Sequence, residues 1–250
     1  MLAKTKILSI LTPVLATQGT RKLLAQTIES VTNQVLPKGW SYEWIIVEDG
    51  PKPVLEDYEW PDMVSYFSVK KQVGEPSART LALSMAQGEY VLAFDADDTL
   101  PPNALNKICS AFENSPEAVW VAGQEATPRH NKPYINHKNT SDYLPEGLIQ
   151  PNKLYPFWLR TGQYPVTFQC AYKAETLWRF GGYPAMPFAG DINLLFAVSM
   201  QYPGVLLYDV LLNYRRWSGQ MTAQKEYFAA EQLSYQHAHR WIQSLRRSKQ

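Results

Sequence analysis

The chain has 250 residues, enough for one large domain or two small ones with a substantial buried core. Hydrophobic residues make up 45% and charged residues 19%, and the net charge of +1 argues against a general preference for nucleic acid or anionic membranes. No apolar run approaches the roughly 18 residues of a membrane span, and the two distant cysteines, Cys109 and Cys170, predict buried free thiols in a reduced, cytoplasmic protein.

Strands and helices alternate through the first half of the chain. The run KILSILTPV predicts a buried strand, and the helix after it has Thr20 as its expected N-cap. The helix that begins at Glu75 carries Pro76 in its first turn, and Gly88 is expected at its C′ position. This alternation predicts an α/β fold with a mostly parallel sheet. The predicted strands are 6–14, 42–50, 63–70, 89–94 and 117–123, and the predicted helices are 20–34, 75–88 and 103–114.

The second half of the chain has a different texture. Residues 124–153 are polar and proline-rich, and they predict a long loop of the kind that carries function. Helical segments are predicted at 154–162, 174–182 and 190–201. The segment 205–217 predicts one or two strands, and a helical tail is predicted from Thr222 onward.

Polar side chains follow three of the predicted strands at the point where each strand ends. These side chains are Thr12 and Pro13, Glu48 and Asp49, and the aspartates Asp95, Asp97 and Asp98. In parallel sheets the ligand site lies at the carboxyl ends of the strands. We therefore expect the three groups to meet at one edge of the sheet.

The segment FDADD has the most carboxylates of these strand ends. Side chains alternate along an extended segment, so Asp95 and Asp97 face the same way. Carboxylate oxygens suit Mg²⁺ or Mn²⁺, which bind one or two carboxylates together with substrate phosphates. A capped turn into the helix that Pro101 opens explains the same residues equally well.

Two weaker signals carry their own alternatives. Glu48 and Asp49 can accept hydrogen bonds from a ribose or a base N–H, although Asp-Gly is also a common turn pair. Arg79 lies in the first turn of a helix, where the helix dipole opposes a cation. A diphosphate would explain that placement, and so would an ion pair with Glu75.

Taken in order, these motifs resemble the family 2 glycosyltransferases of the GT-A fold. The matching segments are SILTPV, IIVEDG, GEPSARTLALSMAQGEYVLAFDADD, FGGYPAMPFAGDINLLFAV and YRRWSGQMT. The resemblance extends from about Lys6 to Thr222. It implies a GT-A, Rossmann-like central sheet flanked by helices, with a C-terminal acceptor-side subregion and a terminal helix.

The resemblance also implies roles for individual residues. Those expected around the nucleotide are Thr12, Pro13, Glu48, Asp49, Arg79, Asp95, Arg215 and Gln220. Asp97, with Asp95, would hold a Mn²⁺ or Mg²⁺ ion on the diphosphate, and Asp98 would support them. Asp191 falls where the family keeps its catalytic base, although the residue alone fits a helix N-cap better.

The implied reaction moves a sugar from a nucleotide sugar, most often UDP-linked, to an acceptor hydroxyl. The base removes the proton of the hydroxyl, which attacks the anomeric carbon opposite the leaving group, so one displacement inverts the configuration. The metal and Arg79 would stabilise the departing nucleoside diphosphate.

Several positions depart from the family pattern. Glu48 replaces the first aspartate of V-D-D-G, Thr80 replaces the asparagine of A-R-N, and Gly190 replaces the acid before the base. Trp217 replaces a histidine that in relatives can approach the metal or the diphosphate. This last change leaves metal coordination open, or passes the diphosphate contact to Arg215 or Arg216.

The expected organisation is a nucleotide-sugar-binding half at 1–123, an acceptor and base half at 124–221, and a C-terminal helix at 222–250. Trp158, Tyr155, Tyr164 and Tyr143 form either an acceptor platform or, as the more common outcome, a small subcore under a loop. His130 and His137 are expected at the surface. The acceptor implied is a glycan, lipid, natural product or peptide, with a modified nucleic-acid base also compatible, and a homodimer is a further expected partner arrangement.

Two other functions fit parts of the sequence. A sugar-phosphate nucleotidyltransferase has a glycine-rich loop after its first strand, of which Gly19, Thr20 and Arg21 are a partial echo. A degenerate GT-A domain that binds nucleotide or glycan without turnover is compatible with Gly190 and Trp217.

Overall fold

A computed structural model describes residues 5–129, 132–135, 144–162, 166–167, 169–186, 188–223 and 225–247. Its strands form one central sheet. The strands are β1 (Lys6–Val14), β2 (Trp40–Glu48), β3 (Val64–Ser68), β4 (Tyr90–Ala93), β5 (Trp120–Arg129), β6 (Lys132–Ile135), β7 (Gly147–Ile149), β8 (Ala171–Lys173) and β9 (Gly204–Asn213).

The sheet is parallel in its N-terminal part and mixed beyond it. Its order is β3-β2-β1-β4-β8-β5-β9-β7, with β6 paired to β5. Strands β3, β2, β1 and β4 are parallel neighbours, whereas β8 runs antiparallel to both β4 and β5. The α/β class with a helix-flanked sheet is confirmed, and the antiparallel strands come from the half of the chain with the weakest periodicity.

Helices cover both faces of the sheet. They are α1 (Gln18–Thr32), α2 (Glu75–Met85), α3 (Ala104–Asn114), α4 (Leu154–Thr161), α5 (Ala174–Arg179), α6 (Gly190–Gln201) and α7 (Tyr227–Arg247). One core cluster joins the sheet to α1 and α3, and the other joins it to α2 and α4 to α7. The alternation of β1 explains the two layers, because Leu8 and Ile10 face the first cluster and Leu11 faces the second.

Two predicted helix ends are wrong in detail. The N-cap of α1 is Thr17 rather than Thr20, and its hydroxyl accepts a hydrogen bond from the Thr20 N–H at 3.2 Å. Helix α2 ends at Met85, so Gly88 is not its C′ residue. Gly88 instead allows a close backbone approach, since a Cβ there would lie 2.7 Å from the Ile7 carbonyl oxygen.

The predicted long loop at 124–153 is also wrong. Strand β5 continues through Arg129, and β6 and β7 follow within the same interval. The pattern was hidden because β5 is irregular, with register shifts against β9 between Ala122 and Glu125. Sheet edges and bulges carry weak hydrophobic alternation, and this interval has both.

The remaining elements follow the predictions closely. Helices α4, α5 and α6 form where they were expected, β9 is a single strand, and the helical tail begins at Tyr227. Cys109 and Cys170 are free and buried, as predicted. The division into 1–123, 124–221 and 222–250 stays a prediction. In the described part of the chain, no helix combines the length and the apolar character needed to cross a bilayer.

Candidate active site

Three strand ends meet at one edge of the sheet, as the sequence predicts. Val14 of β1 pairs with Glu48 of β2, and the Asp49 N–H donates to the Val14 carbonyl at 2.8 Å. On the other side of β1, the Phe94 N–H donates to the Leu11 carbonyl at 3.1 Å. The acids after β2 and β4 therefore flank the end of the same central strand.

The Thr12 side chain belongs to the core rather than to this edge. Thr12 is fully buried, and its hydroxyl accepts a hydrogen bond from the Trp44 indole at 2.8 Å. Its hydroxyl is thus already paired, and Thr12 supports the strand end that carries Pro13. A nucleotide contact at Pro13 stays a prediction.

Glu48 and Asp49 bind backbone N–H groups of neighbouring loops. Glu48 accepts hydrogen bonds from the N–H groups of Val54 and Leu55 and from the Tyr66 hydroxyl. Asp49 accepts from the N–H groups of the 73–74 segment at 2.6 and 2.9 Å. Both carboxylates are buried and shape the loops around the site, and their contact with a ribose or a base stays a prediction.

Arg79 lies buried between two acids. Its Nη1 is 2.9 Å from the Glu75 carboxylate, and its Nη2 pairs with Asp95. The guanidinium also lies 5.2 Å from the centre of the Tyr183 ring. Burial opposes its charge, but Glu75 and Asp95 more than offset that effect and raise the pKa of Arg79. The expected ion pair with Glu75 is therefore present, and Asp95 extends it.

The acids around Arg79 have raised pKa values. Burial raises the pKa of Glu75 to about 7, against the opposing effect of Arg79, and the charges of Asp191 and Asp95 raise it further. Burial likewise raises the pKa of Asp95 to about 6, although Arg79 opposes the shift. The site therefore concentrates carboxylates that a bound cation would stabilise.

Asp98 is an anchor rather than an open ligand. Its Oδ1 accepts from the Arg215 N–H at 2.8 Å, and its Oδ2 accepts from the Gln169 side-chain amide. Gln169 also accepts from the Asp95 N–H at 2.9 Å, so it joins both ends of the aspartate segment. No sequence signal marked Gln169, because it lies in an irregular segment before β8.

The Arg215 side chain fastens the same segment to helix α1. It donates to the carbonyl oxygens of Asp97 and Asp98 on one side, and to Gln26, Leu23 and Thr27 on the other. This arrangement gives Arg215 a positioning role in the structure. Its expected contact with the diphosphate stays a prediction.

Trp217 contacts the aspartate that was assigned to the metal. Its indole N–H donates to Asp97 Oδ2 at 2.7 Å. The ring packs against Gly19, where a Cβ would lie 2.6 Å from the indole, and against Gly219. Gly19 thus makes room for Trp217, which removes the main reason to assign it to a nucleotidyltransferase loop.

Gln220 closes the turn that holds Trp217. Its Oε1 accepts from the Trp217 N–H at 2.7 Å, and its Nε2 donates to Tyr214 and Thr222. A nucleotide contact at Gln220 stays a prediction.

Asp191 lies in the first turn of α6 and is not its N-cap, which is Ala189. Burial raises the pKa of Asp191, while Arg79 and the Ile192 N–H oppose the shift. A raised pKa makes a carboxylate a stronger base than an ordinary aspartate, and the role of Asp191 as the catalytic base stays a prediction. Arg79 links this acid electrostatically to the aspartates after β4.

The departures at 190 and 80 have visible reasons. A Cβ at Gly190 would lie 2.9 Å from the Pro184 carbonyl oxygen and 3.1 Å from Pro76, so an acidic side chain has no space there. Glu75, beside Pro76 in the chain, brings a carboxylate to the neighbourhood of Asp191 from α2 instead. The Thr80 hydroxyl accepts from the Tyr183 N–H at 2.9 Å and holds the loop that reaches Gly190.

Tyr155 and Trp158 form part of a subcore, the more common of the two outcomes that the sequence allows. Tyr155 is 1% exposed, and Trp158 lies within 5.8 Å of its ring and packs on Phe196 and Tyr235. These contacts exclude an open platform made by Tyr155. Tyr143, Tyr164, His130 and His137 lie outside the described residues.

The donor set fits a hard divalent cation. Oxygen atoms of Asp95, Asp97 and Asp98 lie within 4.8 Å of one another. Among the described residues, Asp95 Oδ2 and Asp97 Oδ1 accept no hydrogen bond, so each has its lone pairs available. Two such carboxylate oxygens suit Mg²⁺ or Mn²⁺ shared with a diphosphate.

Comparison with known families identifies the family of the chain. The model of "Glycosyl transferase family 2" matches residues 9–178, about two thirds of the chain. The chain belongs to glycosyl transferase family 2.

Relatives and solved structures extend the comparison. The chain is 29% identical over 100 residues to an uncharacterized glycosyltransferase, MJ1057, of Methanocaldococcus jannaschii, and 32% identical over 106 residues to TuaG of Bacillus subtilis, a glycosyltransferase named for teichuronic acid biosynthesis. These matches cover 38% and 40% of this chain, and 33% and 40% of the respective relatives. The chain therefore matches well under half the length of these relatives.

Among solved structures, S. aureus TarS 1-349 with UDP-GlcNAc superposes with a TM-score of 0.66 at 15% identity, covering 92% of this chain and 65% of TarS. The mannosyltransferase PcManGT of Pyrobaculum calidifontis with GDP-Man and Mn²⁺ gives a TM-score of 0.55 at 18% identity, covering 85% of this chain and 57% of that protein. At these identities the likeness concerns the fold.

Proposed function

We propose that the chain transfers a sugar from a nucleoside-diphosphate sugar, with UDP as the first nucleotide to test, to an acceptor hydroxyl by one inverting displacement that uses a divalent cation. The observation that carries the proposal is the common electrostatic centre of the site. Arg79 pairs with Glu75 and Asp95, and its charge opposes the rise that burial causes in the pKa of Asp191. The acids of the proposed donor side and acceptor side thus surround one buried guanidinium group, that of Arg79.

Each of these residues has a distinct task in the proposed reaction. Asp95 and Asp97 hold the cation, which neutralises charge on the departing diphosphate when bound. Arg79 neutralises Asp95 and keeps its carboxylate in place through the Nη2 contact. Asp191 takes the proton of the acceptor hydroxyl on its carboxylate, and the N-terminus of α6 stabilises that carboxylate.

Known relatives support the donor class. TarS binds UDP and UDP-GlcNAc, and PcManGT binds GDP-Man together with Mn²⁺. The name of TuaG refers to the biosynthesis of teichuronic acid. We therefore place a glycan first among the acceptors, before a lipid, a natural product or a peptide.

A donor panel tests the proposal. The purified chain is incubated with UDP- and GDP-linked sugars in Mg²⁺ or Mn²⁺, and the melting temperature and nucleoside diphosphate release are followed. At least one donor should raise the melting temperature and release its diphosphate slowly by hydrolysis. Binding without any release, even with candidate acceptors present, would favour a non-catalytic nucleotide-binding domain, and the absence of both effects would contradict the proposal.

A further inference from the structure

The side chain of Trp217 is closely packed beside the proposed cation site. Its indole lies between Gly19 in the first turn of α1 and Gly219 in the following turn, and neither position has space for a Cβ. Gln220 fixes the backbone of Trp217 through the 2.7 Å hydrogen bond to its N–H. The position of the ring is therefore fixed by its contacts with Gly19 and Gly219 and by the hydrogen bond to its own backbone N–H.

The contact that Trp217 makes is chemically different from the one a histidine would make. The indole N–H is only a donor, because the nitrogen lone pair belongs to the aromatic system. It donates to Asp97 Oδ2 at 2.7 Å and leaves Asp97 Oδ1 for a ligand. An imidazole at this position would offer a nitrogen lone pair to a cation.

No histidine or cysteine joins Asp95, Asp97 and Asp98 within the described ranges of the chain. Among the described residues, the candidate protein ligands are therefore oxygen atoms alone. Oxygen sets favour Mg²⁺ and Mn²⁺, whereas imidazole nitrogen adds affinity for Co²⁺ and Zn²⁺. The indole hydrogen bond also orients Asp97, as outer hydrogen bonds to metal ligands commonly do.

We propose that Trp217 sets the metal selectivity of this site: it orients Asp97 as a one-oxygen ligand and keeps a nitrogen donor away from the cation, so that the site lacks the added preference for Co²⁺ and Zn²⁺ that an imidazole ligand would give. The proposal deepens the proposed function and rests on its cation site.

Metal binding can be measured without turnover. Free Mn²⁺ is followed by electron paramagnetic resonance in the presence of UDP or GDP, and Mg²⁺, Co²⁺ and Zn²⁺ compete for the site. Wild-type protein is compared with Trp217→His and Trp217→Phe, and Asp97→Asn gives the background from other sites. Circular dichroism and melting temperature show whether each variant is folded.

The two variants should change different quantities. Trp217→His should raise the preference for Co²⁺ over Mg²⁺ on the order of tenfold, because it adds an imidazole ligand. Trp217→Phe should weaken all the cations by about tenfold and leave their ranking unchanged, because it removes only the orienting hydrogen bond.

Three results would overturn the inference. The first is a preference for Co²⁺ over Mg²⁺ that is the same in Trp217→His and wild type. The second is unchanged Mn²⁺ affinity in Trp217→Phe, a result that does not require the histidine variant to fold. The third is wild-type protein that binds no Mn²⁺ above the Asp97→Asn background. In that last case, a donor that raises the melting temperature in the presence of EDTA would show that the protein binds the donor without a cation. The proposed donor site would then be supported and the proposed cation site refuted.

Discussion

At the scale of single residues, the site is built from acids whose neighbours hold them in defined states. Asp98 and Asp49 bind N–H groups, Asp95 pairs with Arg79, and Asp97 accepts from Trp217. Such engaged carboxylates need little reorganisation when a ligand arrives, which is the basis of electrostatic preorganisation. The chain therefore uses each of these acids for structure as well as for the proposed chemistry.

Glu75 is the residue whose protonation should be visible in the stability of the protein. Its folded pKa of about 7 lies above its ordinary value of 4.5. Between these two pH values the folded state binds more protons than the unfolded state, so this group makes the protein less stable as the pH rises from about 4.5 to 7. Glu75→Gln should remove that loss, and its melting temperature should rise relative to wild type across this interval.

Melting temperatures from pH 4.5 to 8 in metal-free buffer check this prediction. Glu56→Gln is a matched control, because Glu56 is half-exposed and pairs only with the exposed Lys70. A difference between Glu75→Gln and wild type that stays constant over the whole range would refute the raised pKa.

Some residues of the site lie in recognisable local motifs, whereas others are brought to the site by loops. The ordered family motifs pointed to Asp95, Asp97, Arg79 and Asp191, whose roles stay predictions. They missed Gln169 and the Trp217 contact, which depend on loops that only the folded chain brings together. Glu75 received a role only as a partner of Arg79, since its distance from Asp191 in the chain hides their proximity.

At the scale of elements, the N-termini of α2 and α6 meet next to the proposed base. The contact is tight, because a Cβ added at Gly190 would lie 2.9 Å from the Pro184 carbonyl oxygen and 3.1 Å from the Pro76 ring. A side chain at 190 would have to move backbone, which adjusts less easily than a flexible side chain. The glycine is thus required by the packing of two helices.

Gly190→Ala tests this packing. We expect a loss of about 1–3 kcal/mol in the free energy of unfolding, the usual size of overpacking, together with a marked loss of any transfer activity through displacement of Asp191. Urea unfolding and donor-release assays measure the two effects. Ser84→Ala, on the exposed side of α2, is the control. Gly181→Ala is unsuitable because Gly181 has a φ of +79°, which would strain an alanine. Wild-type stability in Gly190→Ala would contradict the tight contact.

Arg215 links two further elements, the aspartate segment after β4 and helix α1. Arg215→Ala should lower the free energy of unfolding by roughly 2–3 kcal/mol, because several hydrogen bonds to a charged group are lost at once. It should also weaken Mn²⁺ binding, since Asp97 loses the anchor on its backbone. Arg179→Ala is the matched control, because Arg179 is exposed and pairs with the exposed Glu175 on its own helix. Equal stability and metal affinity in the two variants would exclude a positioning role for Arg215.

Elements were predicted best where the sheet is parallel and buried. Strands β1, β2 and β4 carry continuous apolar runs that end in turn residues, so their positions were visible in the sequence. The strands β5 to β8 were missed or shortened because they are short, antiparallel or bulged. Their pairing depends on distant partners, which no local pattern reveals.

At the scale of the whole molecule, one sheet supports both the proposed donor side and the proposed acceptor side. Strand β8 joins β4 to β5 and so connects the parallel half to the remainder of the sheet. The aspartate segment leaves β4, and Gln169 leads into β8, so the proposed cation site lies at this connection. Family membership and fold were thus predictable from ordered motifs, whereas the coupling between the two halves required the structure.

The most direct test of the account separates donor binding from transfer in two variants. Donor-induced changes in melting temperature and nucleoside diphosphate release are measured for wild type, Asp97→Asn and Asp191→Asn with the best donor, Mn²⁺ and an acceptor. We predict that Asp97→Asn loses metal-dependent donor binding, and that Asp191→Asn keeps donor binding but loses transfer by a factor on the order of 10²–10⁴. Undiminished transfer in Asp191→Asn, or undiminished metal-dependent donor binding in Asp97→Asn, would contradict the assignment of base and cation ligand.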